Sequence, residues 1–409
     1  MPDAPVTVVY LDHTAKLSGG EIALVRLLES LNRETINPIV VLAEDGPLVK
    51  RLQDAGVETH IVPLSGNIRN VRKDTLGFGA VKKAFLSVGF ITYSFRIAMM
   101  LRRLKAQVVH TNSLKADLYG ALACSLARVP VVWHVRDHID PSYLPGPAVR
   151  IFRTLAQHWP TYVVANSQST LDKLFLGRHK PRAVIPSGID LRRSVIHDGL
   201  AAHEFDEADA ILERKPWGNP VRIGIVGRLA EWKGQHIFLE AARQVLAAGG
   251  KAEFLIAGSA MFGEADYEAR LKKIVSDAGI EEYVNFMGFV SDVPALLSSL
   301  DVLVHASTTP EPFGQVVIEG MAEGLPVVGT DGGGVREIIV HGENGMLVPM
   351  GDADAMAKAI QTLLADPNRA RLLGRAGYLR VRRHFTAEQT ARKIERVYHE
   401  ILNKTYTTG

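Results

Sequence analysis

Residues 221–234 read VRIGIVGRLAEWKG and contain the local pattern that decides the fold class. The first six residues are mainly apolar and rich in β-branched side chains, which predicts a short strand buried in a sheet. Gly227 allows a turn directly after this strand, and Lys233-Gly234 opens the following helical pattern. A strand, a glycine turn and a helix in this order form the repeating unit of a parallel sheet with crossover helices.

The same alternation of short strands and longer helical patterns continues in both directions along the chain, and it predicts an α/β fold. In the first half, the predicted strands are 6–11, 38–42, 58–62, 107–111, 131–134, 162–165 and 183–185. In the second half, they are 221–226, 253–257, 284–287, 302–304, 326–328 and 346–348. Helical patterns fill the intervals, so each half is expected to form a parallel sheet covered by helices.

The length of 409 residues favours two domains, because one hydrophobic core seldom serves a chain of this size. A polar segment without a strand pattern separates the two halves. We therefore predict an N-terminal domain over residues 1–195, a linker over 196–220 and a C-terminal domain over 221–385. The last stretch, 386–409, has helical periodicity without a following strand, and we expect it to pack back on the N-terminal domain.

Two cations follow the first strand of the second half, at the sheet edge where open parallel sheets bind their ligands. Arg228 comes directly after the glycine turn, and Lys233 stands at the start of the next helix. Guanidinium and ammonium groups beside the free N–H groups of a helix N-terminus are suited to a diphosphate. The alternative is a solvated basic turn.

Two carboxylates frame a second helix start, in the stretch from Glu311 to Glu319. A helix beginning near Gly314 places Glu319 about one turn inside it. Carboxylates accept hydrogen bonds from vicinal hydroxyls of a ribose or hexose, and the N–H groups of Phe313 and Gly314 are suited to further oxygens. The alternative is that the two acids compensate the helix dipole.

Glycines follow two further strands of the second half. The consecutive Gly332, Gly333 and Gly334 precede a helix predicted over 335–340, and such a run allows close approach of the backbone to a ligand. A simple tight turn is the alternative. Gly288, Phe289 and Val290 end another strand, and their backbone groups are candidates for contact with a nucleotide base.

The first half contains two candidate features at the same kind of sheet edge. Gly19 and Gly20 join the first strand to its helix, where a phosphate or a sugar is able to sit on the helix N-terminus. His134 ends the strand predicted over 131–134. A histidine buried at a strand end is either structural or a functional group of the site.

Five of these features together resemble the retaining glycosyltransferases of family four. They are the pairs Gly227-Arg228 and Lys233-Gly234, the interval from Glu311 to Glu319, the glycines 332–334 ahead of Glu337, the stretch 185–190 (IPSGID), and the pair Gly19-Gly20. The resemblance runs from about Tyr10 to the last helix and is strongest over 221–350. In this chain Ser187 occupies the position before Gly188 where the family usually has asparagine.

The resemblance implies a GT-B fold, with two Rossmann-like domains and a cleft between them. It implies that the C-terminal domain binds a nucleotide-sugar and that the N-terminal domain binds the acceptor. By similarity, Arg228 and Lys233 hold the diphosphate, Glu311 contacts the donor sugar and Glu319 contacts the ribose. His134 matches the family's histidine near the reacting centre.

Composition excludes several other classes of protein. A formal charge of +3 gives no argument for nucleic-acid binding. Cys124 is the single cysteine, which excludes an internal disulfide and a cysteine-rich metal site and favours a cytoplasmic location. No secretory signal or membrane-spanning run is expected. The acidic triplet 352–354 spells a metal motif of other glycosyltransferases, but it directly precedes a helical run and is interpreted as a helix cap, so no metal site is predicted.

The segment 69–105 combines nine cations with a single acidic residue, Asp74, and with apolar residues at helical spacing. This composition is typical of a helix that lies on an anionic membrane surface. The alternative is a helix packed in the core whose cations are solvated. The first interpretation would place the protein peripherally at the inner face of the cell membrane.

We therefore predict a retaining, metal-independent hexosyltransferase that needs no separate cofactor. Its donor would be a UDP- or GDP-linked sugar, and its acceptor a glycan or a lipid-linked precursor, as in polysaccharide biosynthesis. Two alternatives stay open. A nucleotide-sugar epimerase would interconvert free donor sugars without an acceptor, and a non-catalytic nucleotide-sugar sensor would bind without turnover.

Overall fold

The computed structural model describes residues 4–64, 88–194, 217–260 and 264–407. The chain divides into a first unit, Met1–Gly188 with Ala387–Gly409, and a second unit, Ile189–Thr386. The change of unit at Gly188 precedes the predicted domain end at residue 195. The first unit ends before residue 195 because Ile189 pairs with Thr386, which belongs to the second unit. Most of the predicted linker lies outside the described residues.

The first unit contains a seven-stranded sheet. Its strands are β1 (Val6–Asp12), β2 (Ile36–Leu42), β3 (Glu58–Ile61), β4 (Val108–Thr111), β5 (Val131–Val135), β6 (Tyr162–Ala165) and β7 (Arg182–Val184). They are parallel and lie in the order β3-β2-β1-β4-β5-β6-β7. The central strands are buried along their whole length, as expected for a parallel sheet with both faces covered.

Six helices connect these strands in the described part of the first unit. They are α1 (Gly19–Ser30), α2 (Pro47–Asp54), α3 (Val88–Arg103), α4 (Leu114–Ala127), α5 (Gly146–His158) and α6 (Gln168–Asp172). Ser18 and Glu21 form a capping box at the start of α1. None of the helices in the described parts of the chain has the length and apolar composition to cross a bilayer.

The second unit contains a six-stranded parallel sheet. Its strands are β8 (Val221–Val226), β9 (Ala252–Ala257), β10 (Val284–Gly288), β11 (Val302–His305), β12 (Val327–Thr330) and β13 (Met346–Val348). They lie in the order β10-β9-β8-β11-β12-β13. The helices are α7 (Gln235–Ala247), α8 (Ala265–Asp277), α9 (Val293–Ser299), α10 (Gln315–Ala322), α11 (Val335–Ile338), α12 (Ala353–Ala365) and α13 (Pro367–His384).

The last helix of the chain, α14 (Ala387–Thr407), belongs to the first unit. One face of α14 carries Ile394, Val397, Tyr398 and Ile401, and all four side chains are buried with residues of β1 and α1. The N-terminal core is therefore completed by residues from the far end of the chain.

The strand order predicts where the candidate ligand site of each unit lies. In each sheet the order reverses at the first strand of the sheet: β1 lies between β2 and β4, and β8 lies between β9 and β11. The loops that leave the carboxyl ends of the strands on either side of this point form the usual ligand crevice of such sheets. Each of the thirteen predicted strands overlaps one observed strand, so the predicted α/β class is confirmed.

Candidate active site

The loop after β8 is held against the end of β11 by a glycine. Gly234 has φ of +72°, and a Cβ atom there would lie 1.9 Å from the carbonyl oxygen of Ala306. Only glycine fits this approach, which directs the preceding 3-10 turn, Glu231–Lys233, toward the residues that follow β11. Lys233 thus comes to lie at the boundary between two loops of the sheet edge.

Glu311 is at the centre of the polar cluster formed there. Its Oε1 accepts a hydrogen bond from Lys233 Nζ at 2.6 Å, and its Oε2 lies 2.6 Å from His305 Nε2. Burial alone would raise the pKa of the Glu311 carboxyl, but Lys233 and His305 hold that pKa well below its ordinary value. Glu311 is therefore ionised at any working pH, and both of its oxygens are fixed.

His305 contacts Glu311 directly, but it was not among the site residues predicted from the sequence. His305 is the last residue of β11 and is buried, and its Nδ1 lies 3.2 Å from the hydroxyl oxygen of Thr330. Ser307 also donates to Glu311 Oε2, at 2.9 Å. The available signal was the place of His305 at the carboxyl end of a strand, close before Glu311, but the predicted strand ended one residue earlier.

The two cations that were expected at a diphosphate are both paired with acids in the second unit. Besides the contact of Lys233 with Glu311, Arg228 Nε lies 3.5 Å from Glu264 Oε2. Both cations also lie near the ring of Trp232, at 4.5 Å for Lys233 Nζ and 6.0 Å for Arg228 Cζ. A diphosphate at this place would share Lys233 with Glu311 and compete with Glu264 for Arg228.

The glycines after β12 pack against the backbone that carries Glu311. A Cβ atom on Gly333 would lie 2.0 Å from the carbonyl oxygen of Glu311, and Gly334 donates its N–H to the same oxygen at 2.8 Å. These glycines are required for the approach of two loops within the protein. Their contact with a ligand stays a prediction. The helix after them, α11, is shorter than the predicted 335–340.

The start of α10 presents backbone donors, as predicted. Gly314 has φ of +99° and precedes the helix, and neither its amide nor that of Phe313 makes a hydrogen bond with another described residue. The Phe313 side chain is buried, with its ring centroid 6.0 Å from that of Phe385. Glu319 lies in the second turn of α10, half-buried, and accepts from Gln315 Nε2 at 3.3 Å. Its predicted contact with a ribose is not tested by this geometry.

Gly288, Phe289 and Val290 lie at the end of the edge strand β10. The carbonyl of Gly288 accepts a hydrogen bond from the amide of Gly258 at 2.8 Å and is thus already used within the protein. The Phe289 side chain is 78% exposed. Contact of these three residues with a base stays a prediction.

In the first unit, Gly20 and His134 lie around one arginine that the sequence analysis did not assign. A Cβ atom on Gly20 would lie 3.7 Å from Cδ of Arg136, and Arg136 Nη2 lies 3.4 Å from His134 Nδ1. Arg136 also donates to Asn112 Oδ1 and to Ser187 Oγ, both at 2.9 Å. Ser187 thus has a defined role in the turn where the family usually has asparagine. Gly19 is the first residue of α1, on the same loop as Gly20.

His134 lies on β5 and is buried, as its place at a predicted strand end suggested. Its Nδ1 is 3.0 Å from Nε2 of His110. Burial lowers the pKa of the His134 ring well below its ordinary value, and Arg136 and His110 add to this effect. The ring is therefore neutral and unsuited to act as a cation.

The acidic triplet 352–354 is a helix cap, as predicted. Asp352 accepts a hydrogen bond from the backbone N–H of Ala355 at 2.8 Å, at the start of α12. Across the residues that the structure describes, no three histidine, cysteine or acidic side chains lie together in a way that could hold a metal ion.

Two family models match the chain. One is described as Glycosyltransferase Family 4 and matches residues 17–193, and the other is described as Glycosyl transferases group 1 and matches residues 209–380. The first covers most of the first unit, and the second covers the residues around Lys233, Glu311 and Glu319.

Individual proteins resemble the chain over much of its length. It is 28% identical to the lipopolysaccharide core biosynthesis mannosyltransferase LpsB of Rhizobium meliloti, over 66% of this chain and 80% of the relative. It is 21% identical to the capsular polysaccharide biosynthesis glycosyltransferase CapM of Staphylococcus aureus, over 91% of this chain and 99% of the relative. The structure of Anabaena HepE in complex with UDP and glucose matches with a TM-score of 0.79 and 26% identity, over 97% of this chain and 100% of that chain.

Proposed function

The chain belongs to the group 1 and family 4 glycosyltransferases, whose two models together span most of its length, and on that premise we propose that it is a retaining enzyme that uses a nucleotide-sugar without a metal ion. Its two parallel sheets have the GT-B architecture. The observation that supports the proposal best is the fixed carboxylate of Glu311. It lies between Lys233 and His305, two and three residues before Phe313 and Gly314, whose amides make no hydrogen bond within the described parts of the chain.

In the proposed reaction the bond between the anomeric carbon and the leaving diphosphate breaks while the acceptor hydroxyl attacks from the same face. The leaving phosphate oxygen takes the acceptor proton, so that atoms and charges balance and the anomeric configuration is retained. Negative charge grows on the diphosphate in the transition state. This charge is stabilised by fixed positive groups, namely Lys233, Arg228 and the N–H groups at helix starts.

The roles that we propose within the second unit follow from this reaction. Glu311 binds a hydroxyl of the donor sugar, because both oxygens of this half-buried carboxylate are held, one by Lys233 and one by His305. Glu319 binds the ribose, and the backbone at Gly288, Phe289 and Val290 contacts the base of a UDP- or GDP-linked donor. Gly333 and Gly334 keep the Glu311 loop in place and contribute their backbone to the donor site.

For the acceptor we propose a lipopolysaccharide or capsular polysaccharide precursor, on the support of the biosynthetic roles named for the two bacterial relatives. His134, Gly19 and Gly20 would contribute to binding of this acceptor in the first unit. We expect the enzyme to work in the cytoplasm, at the inner face of the cell membrane if the acceptor is linked to a lipid.

One helix of the first unit supports contact with a membrane. Helix α3 buries one face but leaves a stripe of apolar side chains exposed: Val88, Ile91, Phe95 and Met99. Exposed arginines accompany the stripe, and α3 contains no acidic residue. The rest of the basic segment 69–105 that precedes α3 lies outside the described residues. An amphipathic, basic helix of this kind suits an anionic bilayer surface.

The proposal is tested with a panel of UDP- and GDP-sugars, first by thermal shift, because a bound donor raises the apparent stability. Donors that bind are then incubated with lipid-linked and soluble acceptor glycans, and the anomeric configuration of the product is read by proton NMR. We expect transfer with retained configuration and unchanged turnover in EDTA, and Glu311→Gln should abolish transfer.

Three other outcomes contradict the proposal. Interconversion of the free donor sugar without an acceptor would indicate an epimerase, and binding without any turnover would indicate a sensor. Inverted configuration would exclude the retaining mechanism.

A further inference from the structure

A continuous chain of hydrogen bonds runs through the first unit from α14 to His134. The Tyr10 hydroxyl lies 2.7 Å from that of Tyr398, which lies 2.7 Å from Nδ1 of His110. Nε2 of His110 lies 3.0 Å from Nδ1 of His134. All four side chains are buried, so no exchange with bulk water disturbs these contacts.

The arginine beside His134 indicates the direction of the hydrogen bonds in this chain. The guanidinium of Arg136 can only donate, and it lies 3.4 Å from His134 Nδ1, so that nitrogen is the acceptor in this arrangement. This contact is longer than the 2.7 Å bond between Tyr398 and His110, and it holds the direction only together with that bond. Nε2 of His110 therefore carries the proton and donates to it. In a neutral His110 ring, Nδ1 is then unprotonated and accepts a hydrogen bond from the Tyr398 hydroxyl. The oxygen of that hydroxyl in turn accepts a hydrogen bond from the Tyr10 hydroxyl.

Both rings are neutral, as this direction requires. Burial lowers the pKa of His110 to about 3, with a further contribution from Arg136. Burial and Arg136 likewise keep the pKa of His134 well below its ordinary value. With Nδ1 of His134 accepting, its single proton resides on Nε2.

Nε2 of His134 is buried and has no hydrogen-bond partner among the described residues. A buried N–H without an acceptor is costly, whereas the other members of the chain are all paired. Such a donor, held in one tautomer near the carboxyl end of β5, lacks an acceptor in the described part of the chain, and an oxygen of a substrate would supply one.

We infer that Tyr398 is a positioning residue for the transfer reaction: through His110 it holds His134 in the Nε2–H tautomer, so that His134 donates a hydrogen bond to a substrate hydroxyl oxygen. The inference rests on the proposed glycosyltransferase function. Tyr398 never touches substrate, and its effect passes through two neutral rings.

The surroundings of Tyr398 keep its hydroxyl in place. Its helix neighbours Ile394 and Val397 are buried in the core of the first unit. Thr390 of the same helix donates to the carbonyl of Pro186 at 2.8 Å, directly before the Ser187 that holds Arg136. Helix α14 therefore supports both the ring chain and the arginine that sets its direction.

The test compares Tyr398→Phe with Tyr10→Phe, since each removes one buried hydroxyl from the same chain. Ring-nitrogen NMR on protein labelled at histidine reads which nitrogen of His134 carries the proton, and His134→Gln assigns the signal. We expect the Nε2–H form in the wild-type protein and in Tyr10→Phe, where Tyr398 still donates to His110. In Tyr398→Phe we expect the Nδ1–H form to appear.

The kinetic readout separates positioning from simple loss of stability. Tyr398→Phe should lower kcat by about tenfold, the scale of one hydrogen bond, while KM for the donor stays within about twofold. Tyr10→Phe should keep its kcat. If Tyr398→Phe does not fold, the wild-type spectrum still tests the inference, because it must show the proton on Nε2 of both His110 and His134.

An Nδ1–H signal for His134 in the wild-type protein, or an unchanged tautomer and kcat in Tyr398→Phe, would overturn the inference. The NMR result does not depend on turnover. Absence of transfer with the expected tautomer would therefore refute the proposed function alone.

Discussion

At the scale of single residues, the contacts of Lys233 and His305 with the Glu311 carboxylate affect the pH dependence of the reaction. Lys233 is the first of the neighbours that lower the pKa of this carboxyl, while burial acts in the opposite direction. The wild-type carboxylate therefore stays ionised far below neutral pH. Without Lys233, the effect of burial on the pKa of Glu311 is opposed less strongly, and the carboxyl would take up a proton at a higher pH than in the wild type.

We predict that Lys233→Met lowers kcat by about 10²–10³-fold, because a fixed cation is lost where charge develops in the transition state. In a pH profile of kcat, the fall in activity on the acid side should also occur at a higher pH for Lys233→Met than for the wild type, since the Glu311 carboxyl is no longer held ionised by Lys233. Arg243→Ala, which removes an exposed arginine from α7, is the control and should change neither quantity. A Lys233→Met profile that coincides in shape with the wild-type profile would show that Lys233 does not act through Glu311.

The two carboxylates of the stretch 311–319 should differ in the kinetic constant that they affect. We predict that Glu319→Ala raises KM for the donor by roughly tenfold to a hundredfold, the scale of a charged hydrogen bond made equally in ground and transition states. Glu311→Ala should mainly lower kcat, because the reacting sugar changes during the reaction. Steady-state kinetics with the donor varied decide between them, and the reverse pattern would exchange the two roles.

At the scale of elements, glycines decide how closely the loops of the second sheet approach one another. Gly234 and Gly249 flank the same helix, α7, and both have positive φ, +72° and +84°. A Cβ atom on Gly234 would collide with the Ala306 carbonyl, whereas nothing lies within 4 Å of one on Gly249. Alanine substitutions at these two glycines therefore separate the cost of a strained backbone conformation from the cost of a steric collision.

We predict that Gly249→Ala costs roughly 1–2 kcal/mol of stability, the strain of a left-handed alanine. Gly234→Ala should cost more and should also lower turnover, because the loop that carries Lys233 must move away from β11. Urea unfolding followed by circular dichroism compares the stabilities, and the transfer assay compares the rates. Equal losses of stability and of turnover in both variants would mean that the contact between these loops contributes to neither quantity.

Most strands were predictable from the sequence because they are short apolar runs between turn residues and helical patterns. The strands β3, β7 and β10 are not buried, and they were predicted from their place in the alternation of strands and helices. The residues around Glu311 were only partly predictable. Glu311 and Lys233 are marked by local motifs, but His305 contacts Glu311 only because the loop that leaves β11 folds back on the end of that strand. Nor does any local pattern connect Tyr398 with His110, since the two are distant in sequence and meet through packing of the last helix on the first sheet.

At the scale of the whole molecule, the exposed stripe on α3 predicts where the enzyme works. We predict that the protein sediments with anionic vesicles and that the binding weakens as salt rises, each surface cation contributing about 1 kcal/mol in low salt. Serine at Ile91, Phe95 and Met99 together should reduce the binding. Leu372→Ser, which removes a similarly exposed side chain from α13, should not.

Co-sedimentation with anionic and neutral vesicles at two salt concentrations measures this effect. Equally negligible pelleting with both vesicle types would leave an enzyme that meets a soluble acceptor. Equal loss of binding in the triple variant and in Leu372→Ser would show that the α3 stripe is not the contact.

The return of α14 to the first unit also governs the order in which the two units can be finished during translation. The ribosome releases the whole of Ile189–Thr386 before Ala387–Gly409, although the latter segment completes the unit that began to emerge first. Domains generally fold as they are synthesised. The second unit therefore has its full sequence available while the nascent first unit still lacks Tyr398, and a chain that stops at residue 386 leaves His110 without its hydroxyl partner.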